Sequence, residues 1–136
     1  MSKTLTQQDA LIHVMVMMSA VDRSMSDSEM ERIGKLIRVL PIFADFDPDR
    51  LVPVAQQCAV LISGPEGLDI TLELVREALP QRLFDTAYAI AVDVASVDLS
   101  LRAEERRLLD LLRQRLGLDK LVCAAIERAA EARLRR

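Results

Sequence analysis

Two short acidic segments contain the residues of this sequence that could do chemistry. The first acidic segment, residues 20–29, and the second acidic segment, residues 96–105, follow one pattern: small-Val-Asp-x-Ser-apolar-x-x-x-Glu. The second aspartate, Asp98, lies 76 residues after the first, Asp22. Because the pattern recurs at this length, each time between an apolar run and an amphipathic one, it indicates an internal repeat.

The repeated acids have the chemistry of a cation site. Each aspartate stands where an apolar helix should end, beside carbonyl groups without intrahelical partners. Each glutamate stands in the first turn of the next helix, where the helix dipole favours a carboxylate. Carboxylates, hydroxyls and free carbonyls are the oxygen ligands that hard divalent cations prefer. The sequence therefore predicts a divalent metal ion, of undetermined identity, held by the four repeated acids Asp22, Glu29, Asp98 and Glu105.

Helix capping is the competing interpretation of the same acids. The run from Ser26 to Glu29 has the spacing of a capping box, and an aspartate can brace a loop through nearby amides. In the second acidic segment the capping position is Arg102, which has no acceptor atom, yet Glu105 recurs there. Structural bracing, a metal site and an acidic surface for a protein partner therefore all stay open. An EF-hand is excluded, because Asp27 stands at the loop position where an EF-hand requires glycine.

Composition and charge exclude several functions. The chain has 18 basic and 21 acidic residues, and the two kinds are interleaved along the sequence. Nucleic-acid binding needs a basic surface, often with aromatic residues for stacking, and only 3% of this chain is aromatic. One histidine cannot supply a convincing catalytic triad, and no phosphate-binding loop is present. We therefore predict no enzyme, no organic cofactor and no nucleic-acid partner. Hydrolysis by a carboxylate-bound metal is a third, weaker interpretation.

The elements that must position these acids are helices. Apolar residues make up 51% of the chain, whereas only four glycines and five prolines are available for turns. Helical spacing of apolar residues begins after the capping residues Thr6 and Ser26. The clearest turn is Gly64-Pro-Glu-Gly67, and Gly117 is placed to end the sixth helix. These patterns predict an all-α fold, a bundle of about seven helices.

One domain, residues 1–136, accounts for the whole chain, since its length suits a single hydrophobic core. The repeat predicts two pseudo-symmetric helix-turn-helix halves, near residues 11–40 and 87–116. The apolar run over residues 11–21 is shorter than the ~20 residues needed to cross a bilayer. The polar N-terminus lacks the order of a secretory signal. We therefore expect a cytoplasmic protein without a transmembrane segment.

The sequence also predicts the surroundings of four further side chains. Cys58 and Cys123 lie in apolar helical runs, far apart, and are predicted to be buried thiols rather than a disulfide. His13 is too far along its helix from the first aspartate to share an ion, so we expect it to be structural or partly exposed. Asp93 lies among apolar residues in the fifth helix, and we favour a solvated position on its outer face over a buried, paired one.

The two acidic segments, separated by central helices, resemble the TerB family of tellurite-resistance proteins and their TerB-like relatives. The resemblance covers nearly the whole chain. It implies an all-helical bundle with pseudo-symmetric halves and a role in stress and tellurite resistance. The resemblance further implies a metal-binding cluster made of the four repeated acids, to which Glu104 is added. It also implies a protein partner in a membrane-linked complex. The chain departs from the family pattern at Arg23 and Leu99, where a glycine commonly follows each aspartate, and at Ser28, which replaces an acid.

Overall fold

The computed structural model describes residues 5–20, 26–95 and 103–135, and every regular element in these ranges is helical. Three short 3₁₀ turns accompany seven α-helices, which confirms the predicted all-α bundle. The α-helices are α1 (Gln7–Ala20), α2 (Asp27–Val39), α3 (Leu51–Ser63), α4 (Gly67–Ala78), α5 (Phe84–Ala95), α6 (Ala103–Leu116) and α7 (Lys120–Leu134). The 3₁₀ turns are Pro41–Phe43, Pro48–Arg50 and Gln81–Leu83.

Helix α1 is the centre of the bundle. All of its residues from Asp9 to Ser19 are buried, and it packs on α3, α4 and α5. A helix that is apolar around its whole circumference must be enclosed by other elements, because it has no face to leave in water. Its flexible methionines Met15, Met17 and Met18 are at most 2% exposed, so they fill the core.

The internal repeat is visible in the helix boundaries. Helix α2 begins at Asp27 and α6 begins at Ala103, 76 residues later, which is the spacing of the two aspartates in the sequence. Ile33 and Leu109 occupy matching positions on these helices, and both are fully buried. In addition, α1 packs extensively on α3, the helix after α2, and α5 packs extensively on α7, the helix after α6.

Local signals set the helix ends as the sequence predicts. The Thr6 hydroxyl accepts the Asp9 amide at 3.0 Å and opens α1. Gly117, at φ 65°, ends α6 with the two hydrogen bonds of a Schellman motif. Pro53 lies in the first turn of α3, where a backbone N–H has no intrahelical partner, so it opens the helix without breaking it.

The turn between α3 and α4 brings two backbones into unusually close contact. A Cβ atom placed on Gly67 would lie 2.4 Å from the carbonyl oxygen of Leu61 and 2.7 Å from the backbone of Ile62. Glu66, just before α4, adopts the left-handed conformation at φ 56°. Only glycine fits at position 67, so this residue determines how closely α3 and α4 approach.

We expect Gly67→Ala to lower the free energy of unfolding by about 2 kcal/mol, because the added methyl group must push the α3 backbone away. Gly64→Ala is the matched control in the same turn, since its Cβ would lie 3.6 Å from the Leu61 carbonyl oxygen, an ordinary contact. Urea unfolding followed by circular dichroism measures both. Equal effects of the two substitutions would contradict the close approach at position 67.

Candidate functional site

The glutamate of the first acidic segment forms a helix cap. The Ser26 backbone N–H donates to Glu29 Oε1 at 2.8 Å, and the Glu29 N–H donates to Ser26 Oγ at 3.2 Å. These reciprocal bonds are the predicted capping box, at the start of α2. One carboxylate oxygen of Glu29 is therefore occupied by the backbone. Asp22, its predicted partner in a cation site, lies outside the described residues.

The glutamates of the second acidic segment lie together in the first turn of α6. Glu105 is the third residue of α6, as Glu29 is the third residue of α2. Glu104 is exposed, whereas Glu105 is half-buried and has an interaction of its own. Asp98 and Arg102 lie outside the described residues.

The five predicted acids thus divide into three that the structure places and two that it does not. Glu104 and Glu105 share one helical turn, and Glu29 is in the corresponding turn of the other half. Within residues 5–20, 26–95 and 103–135, no group of three or more histidine, cysteine, aspartate or glutamate side chains is arranged to hold a metal ion. A complete site would need the aspartates, so the five-residue metal site stays a prediction.

His13 is fully buried in the middle of α1, which makes it structural and rules out partial exposure. Its Nδ1–H donates to the carbonyl oxygen of Asp9 at 2.7 Å, and Nε2 has no hydrogen-bond partner among the described residues. Burial lowers the pKa of the imidazole, an effect that the Asp9 carbonyl and the Asp9 charge partly offset. The Asp9 carboxylate itself accepts from Arg50 at 2.9 Å, which ties α1 to the turn before α3.

Both cysteines are buried, as predicted. Burial raises the pKa of the Cys58 thiol to about 12, and that thiol donates to the carbonyl oxygen of His13 at 3.7 Å. Burial also raises the pKa of the Cys123 thiol. Because the thiolate is the nucleophilic form, neither side chain is a reactive cysteine at neutral pH.

Asp93 combines features of the two positions considered from the sequence, because its side chain is partly exposed and is also paired. Its side chain is 26% exposed and forms an ion pair with Arg133 of α7. Helix α5 packs against α7, so the outer face that the sequence suggests for Asp93 is an interhelical border. The forty residues between the two partners hide this pairing from any local pattern.

The structure also contains a polar groove that the sequence does not predict. It has a volume of about 380 Å³ and is lined by residues of α6 and α7 together with Tyr88 of α5. The Tyr88 hydroxyl donates to Glu127 at 2.6 Å, and Arg106 donates to the same carboxylate at 3.0 Å. Burial, followed by the bond to Glu127, raises the pKa of the Tyr88 hydroxyl. The three side chains join α5, α6 and α7, and they are too far apart in sequence to be found by spacing.

Comparisons of the chain with protein-family models, with curated proteins and with solved structures found no match. The resemblance to the TerB family therefore rests on the sequence of the two acidic segments alone. Among the described helices, none has the length and apolar character that a membrane span requires.

The buried histidine predicts a pH dependence of stability. Because its pKa in the folded protein is below the usual value of 6.5, the unfolded chain binds the proton more tightly. The contribution of His13 to stability should therefore be fully present above pH 6.5 and should be lost progressively as the pH falls below it.

Urea unfolding at several pH values measures this dependence, and His13→Met is the control because it removes the titrating group while filling a similar volume. We expect the variant to lose most of the decrease between pH 7 and pH 5. Parallel curves for the wild type and the variant would show that another group is responsible.

Proposed function

We propose that this chain is a non-catalytic, TerB-like module that binds a divalent cation at the second acidic segment and acts in stress or tellurite resistance through a protein partner. The observation that carries the proposal is the recurrence of glutamate at the third position of both α2 and α6. At α2 a serine cap explains that glutamate, whereas the residue before α6 is Arg102, which cannot accept an amide hydrogen bond. The repeat therefore keeps the glutamate at a position where it does not keep the capping serine.

The charges of the second acidic segment support cation binding. Glu104 and Glu105 place two negative charges in one helical turn, and a bound cation would relieve their mutual repulsion. Asp98 and the hydroxyl of Ser100 are close to them in sequence and can add oxygen ligands. An all-oxygen set favours calcium, magnesium or manganese over ions that prefer nitrogen and sulfur.

The non-catalytic part of the proposal is supported by the burial of the reactive side chains. His13, Cys58 and Cys123 are each at most 3% exposed. A general base or nucleophile must come within hydrogen-bonding distance of its substrate, and these three are enclosed by packed helices. We therefore assign binding, and no reaction, to the acidic surface.

The capping box favours a second candidate, a helical scaffold whose acids only cap and brace. Both hydrogen bonds of the box are formed at α2, and they satisfy backbone groups that would otherwise be unpaired. If the glutamates of α6 likewise only cap or brace their helix, the domain would bind its partner without any ion. The two candidates therefore differ in one measurable property, the response of stability to divalent cations.

Thermal unfolding of chelator-treated protein with added calcium, magnesium, manganese or zinc separates the candidates. A ligand at 100 times its Kd stabilises the folded state by about 2.7 kcal/mol. For a domain of this size that corresponds to a rise in Tm of about 10 °C. We expect such a rise with at least one ion, and we expect Glu104→Gln combined with Glu105→Gln to abolish it.

Glu29→Gln is the matched control, because it changes the equivalent position of the other half. It should lower the Tm slightly by weakening the cap, yet leave the rise caused by the cation intact. If no ion raises the Tm of the wild type, the scaffold candidate is the correct one. Equal loss of the rise in both sets of variants would also refute a site confined to the second acidic segment.

A further inference from the structure

The polar groove exists because α6 and α7 both pack on α5 but make few contacts with each other. The two lining residues on its inner side, Tyr88 and Cys123, are at most 3% exposed. At one end Arg106 of α6 reaches across to Glu127 of α7, with a distance of 3.0 Å between the bonded atoms. At the other end the connection of residues 117–119 joins the two helices. The groove is thus closed inside and at both ends, and it opens to solvent on one side.

Charged residues of opposite sign are sorted along the polar groove. Arg113 is in the last turn of α6 and Lys120 is the first residue of α7, so both lie beside the connection. Asp110 lies one turn before Arg113 along α6, and Glu127 lies two turns after Lys120 along α7. The groove therefore has a basic end beside the connection and an acidic end away from it.

Three of these four charges are not used within the bundle. Asp110, Arg113 and Lys120 form no ion pair with any residue in the part of the chain that the structure describes. Arg113 is also half-buried. Burial raises the pKa of the neighbouring Cys123 thiol, and the charge of Arg113 partly offsets that effect. A half-buried cation has lost part of its hydration, and an anionic group bound beside it would compensate for that loss.

We propose that the polar groove binds a free, uncharged-side-chain α-amino acid, with its carboxylate at Arg113 and Lys120 and its ammonium group at Asp110. Arginine binds carboxylates through two parallel hydrogen bonds. In an α-amino acid the two charged groups are attached to the same carbon atom. The residues that face them on α6, Asp110 and Arg113, are one helical turn apart, about 4.5 Å along the axis.

The balance of charge favours a zwitterion over a simple anion or cation. The groove is lined by two basic and two acidic residues, so their charges sum to zero. A ligand that carries one charge of each sign complements both ends, whereas an anion alone would leave Asp110 unpaired.

Size and closure favour a free amino acid over a peptide. A volume of about 380 Å³ is near the lower limit for ligand sites, which suits a small molecule. The closed ends would stop an extended peptide from continuing beyond the groove. Ala124 and Cys123 form the small uncharged part of the lining, so a short side chain without charge fits there.

Calorimetric titration with L-alanine, up to about 50 mM, measures the binding, and we expect a Kd on the order of 1 mM. Tyrosine emission locates the ligand, because the chain has one tyrosine and no tryptophan. The Tyr88 hydroxyl donates to Glu127 at 2.6 Å, so a ligand in the groove changes the surroundings of this bond. The emission should therefore change with the same midpoint as the heat.

Substitutions at the basic end test the carboxylate contact. Arg113→Gln should weaken binding of L-alanine at least tenfold, because it removes a charge-assisted pair of hydrogen bonds. Lys120→Gln should weaken binding as well, and its exposed position leaves the packing of the bundle unchanged. Arg107→Gln is the matched control, since Arg107 is exposed on the same helix and does not line the groove. It should bind L-alanine as the wild type does.

Two analogues of L-alanine test the requirement for both charges. Propionate lacks the ammonium group and ethylamine lacks the carboxylate, and each should bind the wild type at least tenfold more weakly than L-alanine does. Asp110→Asn should weaken binding of L-alanine but not of propionate, because only L-alanine has a cation to place at position 110.

Four results would overturn the proposal: no heat with L-alanine up to about 50 mM, heat without a change in tyrosine emission, propionate binding as tightly as L-alanine, or equal weakening by Arg113→Gln and Arg107→Gln. The expected pattern of affinities would support it. Each titration is carried out with a chelator present. The result is therefore independent of the proposed cation site.

Discussion

Enclosure of α1 on every side is the constraint that organises this bundle. Eleven consecutive residues, from Asp9 to Ser19, are buried, so three other helices must pack around α1 before its apolar surface leaves water. Helices α3, α4 and α5 do so, and their own outer faces form much of the surface. The tight turn at Gly67 and the ion pair between Asp9 and Arg50 hold α3 in place around α1. The outer face of α3 is consequently fixed in position as well.

The helices that follow the two acidic segments begin at equivalent positions but differ in the residues before and within their first turn. Helices α2 and α6 begin at equivalent positions and bury equivalent residues, Ile33 and Leu109. The first copy uses its glutamate within the backbone cap. The second copy replaces the capping serine by Arg102 and adds Glu104. A cap is needed wherever a helix begins, whereas a cation site can be gained or lost with a few side chains, so the two copies need not share a function.

Local interactions explain which parts of the structure the sequence predicts. The caps at Thr6, Ser26 and Gly117 involve residues within five positions of one another, so their spacing carries the information. The partners of Asp93 and Tyr88 are on α7, about forty residues away, and only the packing of helices decides which side chains meet. For the acidic site, the cap at Glu29 follows from sequence. Whether residues of the two halves share one ion depends on how whole helices are placed, which no local pattern determines.

The packing of α1 against α5 has a consequence for how the domain folds. These are the first helices of the two halves, and each forms much of the surface that encloses the other. A half made without its counterpart would leave one side of its most apolar helix in water, at a cost of roughly 25 cal/mol for each Å² exposed. Neither half can therefore be an autonomous folding unit. The duplication visible in the sequence is not a pair of independent modules, and the two copies should order and unfold together in one cooperative transition.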